Sequence, residues 1–181
     1  MRAIGLHLCA LIALLVCSRQ VSAEPESVRE YDLKAAYLYN FIKFASWPDG
    51  SFIAPQSPLV VGVLGNERLI AALEAVTRGR LVNGRAVTVK SWSPQLGTTG
   101  LHVLYVDSAY ELQLSKLSSA FAARGLLTVG ETDAFVAAGG GIRLIVEGDR
   151  LQFEISTAAT ERAGLVLSSQ LLMLARTVRK H

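Results

Sequence analysis

The chain has 181 residues, 51% of them hydrophobic and 18% charged, enough to build one domain that buries most of its surface. A formal charge of +3 is too small to supply a basic face for nucleic acid. Both cysteines, Cys9 and Cys17, stand near the N-terminus, so the rest of the chain has no disulfide and no thiolate for metal or catalysis.

Residues 1–23 have the features of an export signal. Arg2 gives a basic start, and Ile4 to Val16 is an apolar run broken only by Gly5 and His7. Val21-Ser-Ala23 offers small residues for cleavage after Ala23. The run is shorter than the ~20 apolar residues of a membrane span. Cys17 raises a lipoprotein alternative, but Leu-Leu-Val before it lacks the usual small residue. Cleavage removes Arg2 and Arg19 and brings the net charge from +3 to about +1. The expected organisation is a signal peptide over 1–23 and one domain over 24–181, located in the periplasm.

The next segment, Lys34-Ala-Ala-Tyr-Leu-Tyr-Asn-Phe-Ile-Lys-Phe-Ala-Ser-Trp-Pro48, is the most informative. Tyr31, Ala35, Leu38, Ile42 and Ala45 share one helix face, and Tyr37, Phe41 and Phe44 form a second stripe beside it. Ser27 and Glu30 have the spacing of a capping box. Pro48 biases Trp47 away from the α region and closes the helix. A helix this apolar must be covered by its own domain, by a second subunit or by a partner.

Ile53 to Pro58 reads as a loop, and Leu59-Val-Val-Gly-Val-Leu64 as a buried strand. A helix over Glu67 to Val76 precedes the turn Asn83-Gly84 and a strand over Ala86 to Lys90. Leu101 to Val106 is a further strand. Ser108-Ala-Tyr-Glu111 reads as a capping box opening a helix that ends near Gly125. A short strand over Leu126 to Val129 and a short helix over Thr132 to Ala138 follow. Ile142 to Val146 and Leu151 to Ile155 pair as a β-hairpin at one edge of the sheet. A last helix carries Leu167, Leu171, Leu174 and Val178 on one face. Strands separated by helices imply a single-domain α/β sandwich, with a mostly parallel sheet, helices on both faces and a hairpin in the C-terminal half.

The sequence carries little that resembles catalytic chemistry. Gly62-Val-Leu-Gly65 has the wrong spacing for a dinucleotide fingerprint and reads as a tight strand–helix turn. Gly139-Gly-Gly141 precedes a strand, so it aims no helix N–H groups at a phosphate; a flexible turn, or close backbone approach to a ligand or partner, stays open. Neither Ser168 nor Ser169 sits in a nucleophile elbow, and His102, in an apolar strand, reads as a structural histidine. The two histidines beyond residue 23, with no cysteines beside them, build none of the common zinc sites. Asp107 helps terminate its strand. Glu154, between Phe153 and Ile155, is either solvent-facing or paired.

Several segments occur in the same order in a known family. They are Lys34 to Pro48, the Val-Gly-Val-Leu-Gly run ending at Gly65, Gly84-Arg85, and Leu126-Leu-Thr-Val-Gly130. The tail adds Phe153-Glu-Ile, Ala163-Gly-Leu, and Leu167-Ser-Ser-Gln-Leu-Leu-Met-Leu-Ala175. Over nearly all of its length after the signal, the chain resembles the YfiR-like family of periplasmic regulators. The resemblance implies a non-enzymatic protein without cofactor. Such a protein binds the periplasmic sensor domain of an inner-membrane diguanylate cyclase and represses it, lowering cyclic-di-GMP and biofilm formation. It further implies that an outer-membrane lipoprotein can sequester the regulator. Some relatives carry cysteine pairs that serve redox sensing, and this chain keeps none after the signal.

Residues matching the family motifs, and so expected at a binding surface, are Tyr39, Asn40, Lys43, Phe44, Trp47 and Pro48, with Glu154, Ser168 and Ser169 from the tail. Packing is the alternative role for each. A homodimer is expected from the breadth of the first helix's apolar arc. Two other functions stay open. One is a small-molecule carrier or sensor, or an accessory protein for another receptor. The other is a hydrolase that joins Ser168 or Ser169 to His102.

Overall fold

The computed structural model describes residues 26–148 and 150–180. The export signal, the cut after Ala23, both cysteines and His181 lie outside the described residues.

Helix α1 (Glu26–Lys43) is followed by a two-residue strand, β1 (Ala45–Ser46). Strand β2 (Leu59–Leu64) leads into α2 (Glu67–Thr77) and then the hairpin of β3 (Leu81–Val82) and β4 (Arg85–Ser91). After β5 (Val103–Val106) come a 3-10 helix over Ser108–Leu117 and the short α3 (Ser118–Phe121). β6 (Leu127–Gly130), α4 (Asp133–Ala137), β7 (Ile142–Glu147) and β8 (Arg150–Ser156) follow. The tail holds α5 (Thr157–Arg162), β9 (Val166–Leu167), α6 (Ser169–Leu174) and β10 (Thr177–Arg179).

The main sheet has eight strands in the order β10-β8-β7-β6-β5-β2-β4-β3. Within it β4, β2, β5, β6 and β7 are mutually parallel, while β3 and β8 run antiparallel to β4 and β7. Taken alone, the parallel five have the flavodoxin-type order, with the direction of winding reversing between β2 and β5. Strands β2 and β5 do not alternate polar with apolar residues; both faces are apolar because helices cover both.

Helices α1 and α2 cover one face, with Leu38, Phe41, Ile42, Leu69 and Leu73 packed on Val61, Val103, Leu127 and Phe153. On the other face Leu64, Leu104 and Val106 meet Leu117, Phe121 and Phe135. Each such side chain, fully buried, contributes about 1.5–3 kcal/mol. Gly140 lets the chain pass under Phe135, where a β-carbon would come within 2.0 Å of the ring. Asn83 and Gly84, at φ 51° and 78°, make the turn between β3 and β4 that the sequence signalled.

The wide apolar arc of α1 is covered from within the chain. Tyr37 donates to the Leu151 carbonyl at 2.8 Å, and its ring meets Phe41 and Phe153 edge-on at 6.2 and 5.9 Å.

Four local expectations are corrected. First, Ser27 lies inside α1 rather than ahead of it, and the helix ends at Lys43 because β1 pairs with β9 ahead of Pro48. Second, the cap before residue 108 is Asp107, which accepts from the Ala109 N–H, and a 3-10 helix replaces most of the expected α-helix. Third, the single last helix is instead β9, α6 and β10. The Arg176 N–H donates to the Phe153 carbonyl and draws the chain into the sheet, and Leu174, expected on the buried face, is 70% exposed. Fourth, the β7–β8 hairpin is not at the edge, since β10 pairs outside β8.

Candidate functional site

The residues singled out from the sequence fall into one larger group and two residues that stand apart. The larger group gathers at the amino ends of the parallel strands. There Ala45 and Ser46 pair with Leu167 and Val166, and the Ser168 N–H donates to the Phe44 carbonyl at 2.9 Å. The aromatic helix end and the serine-rich tail motif thus form one junction. Ser168 is spent as the N-cap of α6, accepting from the Leu171 N–H at 3.2 Å, while Ser169 is exposed. Asn40 and Lys43 are exposed on the last turn of α1, and Lys43 lies 5.6 Å from the centre of the half-buried Phe44 ring. Val166, pointing to solvent at 67% exposure, adds an apolar element.

Trp47 and Pro48 carry this junction along the amino edge of the sheet. The Trp47 indole donates to the His102 carbonyl at 3.2 Å, and Pro48 packs on Gly164, where a β-carbon would lie 3.4 Å away. Both residues are half-buried. His102 is buried and fixed by the backbone: Nδ1 accepts from the Val60 N–H at 3.1 Å, so Nε2 carries the proton and donates to the Ser51 carbonyl at 3.0 Å. Its ring stacks on Phe52 at 4.3 Å, and the Arg85 guanidinium lies 3.7 Å from the same phenyl ring. Arg85 also donates to the Ala54 and Ser57 carbonyls, which ties down the 48–58 loop. Burial lowers the His102 pKa; the bond to Ser51 opposes this and the Arg85 charge adds to it. With both ring nitrogens engaged by backbone, His102 has none left to activate Ser168 or Ser169. A cleft of about 560 Å³ opens beside the loop, lined by Trp47, Phe52, Leu59 and Arg85 among others.

Two expected residues stand apart from the junction. Tyr39 supports Arg80, whose guanidinium sits 5.5 Å above its ring. Glu154 is paired rather than solvated: on the face away from α1 it meets Arg143 at 3.1 Å and Arg179 at 2.9 Å.

A third cluster went unnoticed in the sequence. Lys34, the first residue of the aromatic motif, is 3% exposed and places its ammonium 2.5 Å from both Glu30 and Glu131. Glu131 also accepts from the Tyr105 hydroxyl. Burial pulls the Lys34 pKa down, but the bonds to Glu131 and Glu30 outweigh it and the net shift is upward. Tyr105 is pushed far up, by burial first and then by the Glu131 charge. The only signal for this cluster was a lysine inside an otherwise apolar arc; its partner lies in a distant loop.

That cluster closes the carboxyl edge of the sheet, where flavodoxin-type folds hold their ligands. Asn66 donates to Asp107 at 2.8 Å across the point where the winding reverses, and a β-carbon at Gly65 would fall 2.1 Å from the Tyr110 ring. The tight turn read from the two glycines is a packing requirement. Among the described residues no group of His, Cys, Asp or Glu side chains could hold a metal ion, and no helix is long and apolar enough to cross a membrane.

Fold and site together define an α/β domain of flavodoxin-type strand order in which the Trp-Pro helix end and the serine tail meet at the amino edge, away from the fold's usual ligand crevice. The chain belongs to the YfiR/HmsC-like family, whose model matches residues 31–176. Members of that family are regulators rather than enzymes, with cyclic-di-GMP signalling as their theme. No curated protein matches the chain. Among solved structures it is similar to a conserved domain protein from Vibrio cholerae O1 biovar El Tor strain N16961, at 11% identity and TM-score 0.50, over 82% of this chain and 60% of that one. It is also similar to the ABC domain from Streptococcus pneumonia in complex with L-Trp, at 12% identity and TM-score 0.45, over 66% of this chain and 55% of that one. The chain therefore spans little more than half the length of these solved chains, and the Vibrio likeness is one of fold alone.

Proposed function

We propose that this chain is an exported, non-enzymatic regulator that binds the periplasmic sensor domain of an inner-membrane diguanylate cyclase and holds it inactive, lowering cyclic-di-GMP and biofilm formation. Family membership supports the class of function, and one observation carries the site. The β1–β9 ladder joins the two family motifs into a single exposed surface, with Asn40, Lys43, Val166 and Ser169 on its outside and Phe44 beneath. Such a surface needs no catalytic group. Binding one state of a two-state receptor better than the other shifts its population by the difference in affinity. A lipoprotein of the outer membrane that covered the same surface would relieve the repression by competition.

The test is direct binding of the exported chain to the periplasmic sensor domains of the cell's diguanylate cyclases. Lys43→Glu and Val166→Asp each weaken binding by about tenfold, roughly 1.4 kcal/mol, with melting temperature unchanged. Wild-type chain that binds none of these domains, or variants that bind as well as wild type, would contradict the assignment. A second reading, a small-molecule sensor, is favoured by the cleft beside Trp47, Phe52 and Arg85. Ligand that occupies it would raise the melting temperature with concentration.

A further inference from the structure

Strand β4 has an unpaired outer edge. It pairs with β2 along Val87–Ser91, but with β3 only at Arg85 and Ala86, because β3 is two residues long. The chain enters β3 from a tight turn in which the Arg80 N–H donates to the Thr77 carbonyl at 3.0 Å. Among the described residues no strand pairs with β4 beyond Ala86 on that side.

The direction of the backbone groups follows from the ladder. The Trp92 N–H donates to the Val63 carbonyl at 2.9 Å, so residues 92, 90 and 88 turn their peptide groups toward β2. By the period of two, Val87, Val89 and Ser91 turn theirs outward, to the side that β3 occupies at Arg85. Five residues of open edge span about 17 Å. A groove of about 560 Å³ runs beside it, between the end of α2 and the Val87 and Val89 side chains.

The charges around this edge have one sign in excess. Arg78 and Arg80 stand at its mouth and Lys90 near its far end, with Glu74 the one acidic residue along the groove. Pairing two copies about a two-fold axis would set Arg78 and Arg80 of one beside Lys90 of the other, which like charges disfavour. Arg80, stacked on Tyr39, also places the mouth next to the last turns of α1, where the proposed binding surface begins.

We propose that the open edge of β4 is a docking site for an extended, acidic segment of the partner protein, which adds as a strand beside Val87–Ser91. This rests on the regulatory reading above and specifies how the sensor domain is held: backbone pairing supplies affinity and the basic rim supplies sign. The Lys90 charge and the shortness of the edge guard it against indiscriminate pairing.

The experiment uses the full exported chain and the periplasmic sensor domain that it binds. Ser91→Pro removes an outward N–H while leaving the β2 ladder intact, and Arg78→Glu with Arg80→Glu reverses the rim. Each lowers affinity at least tenfold, while Leu112→Ser, a remote exposed change, leaves it as it was. Amide exchange on the wild-type complex, which needs no variant to fold, slows at Val87, Val89 and Ser91. Unchanged affinity in both edge variants, or no slowing at those amides in a complex that does form, overturns the edge site and leaves the regulatory reading standing. If wild-type chain binds no sensor domain, the regulatory reading falls and the edge site with it.

Discussion

His102 illustrates how much a single ring can hold. It receives a backbone N–H on one nitrogen and gives a proton to a backbone carbonyl from the other, so a second proton must break the bond to Val60. In the unfolded chain a histidine protonates near 6.5, whereas folded His102, its pKa lowered by burial, stays neutral to lower pH. Below about pH 6.5 the unfolded chain therefore binds more protons, and stability falls until folded His102 itself protonates. Urea midpoints measured from about pH 8 down to 5 should show this loss, and His102→Gln, which can keep both backbone bonds, should flatten it; an unaltered slope would exclude His102 as its source. The apolar neighbours of His102 made its structural role legible in the sequence. Lys34 was not legible in this way, because a lysine on a helix is ordinarily solvated and nothing local announces Glu131. Lys34→Met leaves Glu131 beside the buried Tyr105 without its cation and should cost about 3 kcal/mol. Lys34→Met with Glu131→Gln should recover part of that in urea unfolding; a double variant as unstable as the single would refute the pairing.

At the scale of elements, the parallel core was readable because each strand is a short apolar, β-branched run bounded by turn residues. The tail was not. Leu167, Leu171, Leu174 and Val178 fit a helical period, yet long-range pairing overrides it. Leu167 joins β1, and Val178 joins β8 through a parallel ladder. Only α6 remains helical, and Ser168 starts it. The adjacent serines therefore separate cleanly. Ser168→Ala should lower unfolding free energy by about 1 kcal/mol through loss of the cap, while exposed Ser169→Ala should stay within about 0.5 kcal/mol. Equal effects in thermal or urea unfolding would remove the capping role. The same ladder explains why two motifs about 120 residues apart in the chain, Phe44 and Ser168, meet at all. Their order was visible in the sequence; their contact was not, since two-residue strands leave no pattern.

For the whole molecule, the reversal of winding between β2 and β5 gives the sheet two unlike edges. The carboxyl edge is closed by Asn66–Asp107, by Tyr110 over Gly65 and by the Lys34–Glu131–Tyr105 cluster. The amino edge carries the Trp-Pro helix end, the serine tail, the 48–58 loop and the cleft, and it is the end from which the open lane beside β4 begins. The proposed recognition therefore uses surface and strand edge. The class of fold was legible from the alternation of strands and helices. Which edge would carry the motifs depends on pairings that only the folded chain makes. The proposed function is repression of a membrane cyclase from outside the cytoplasm. Its most direct test is cellular cyclic-di-GMP in a strain lacking this chain, against the same strain supplied with the chain bearing residues 1–23 and with a form lacking them. Repression requires a rise on deletion that only the exported form reverses. An unchanged level, with the cyclase confirmed as expressed, or reversal by the form without residues 1–23, would contradict it.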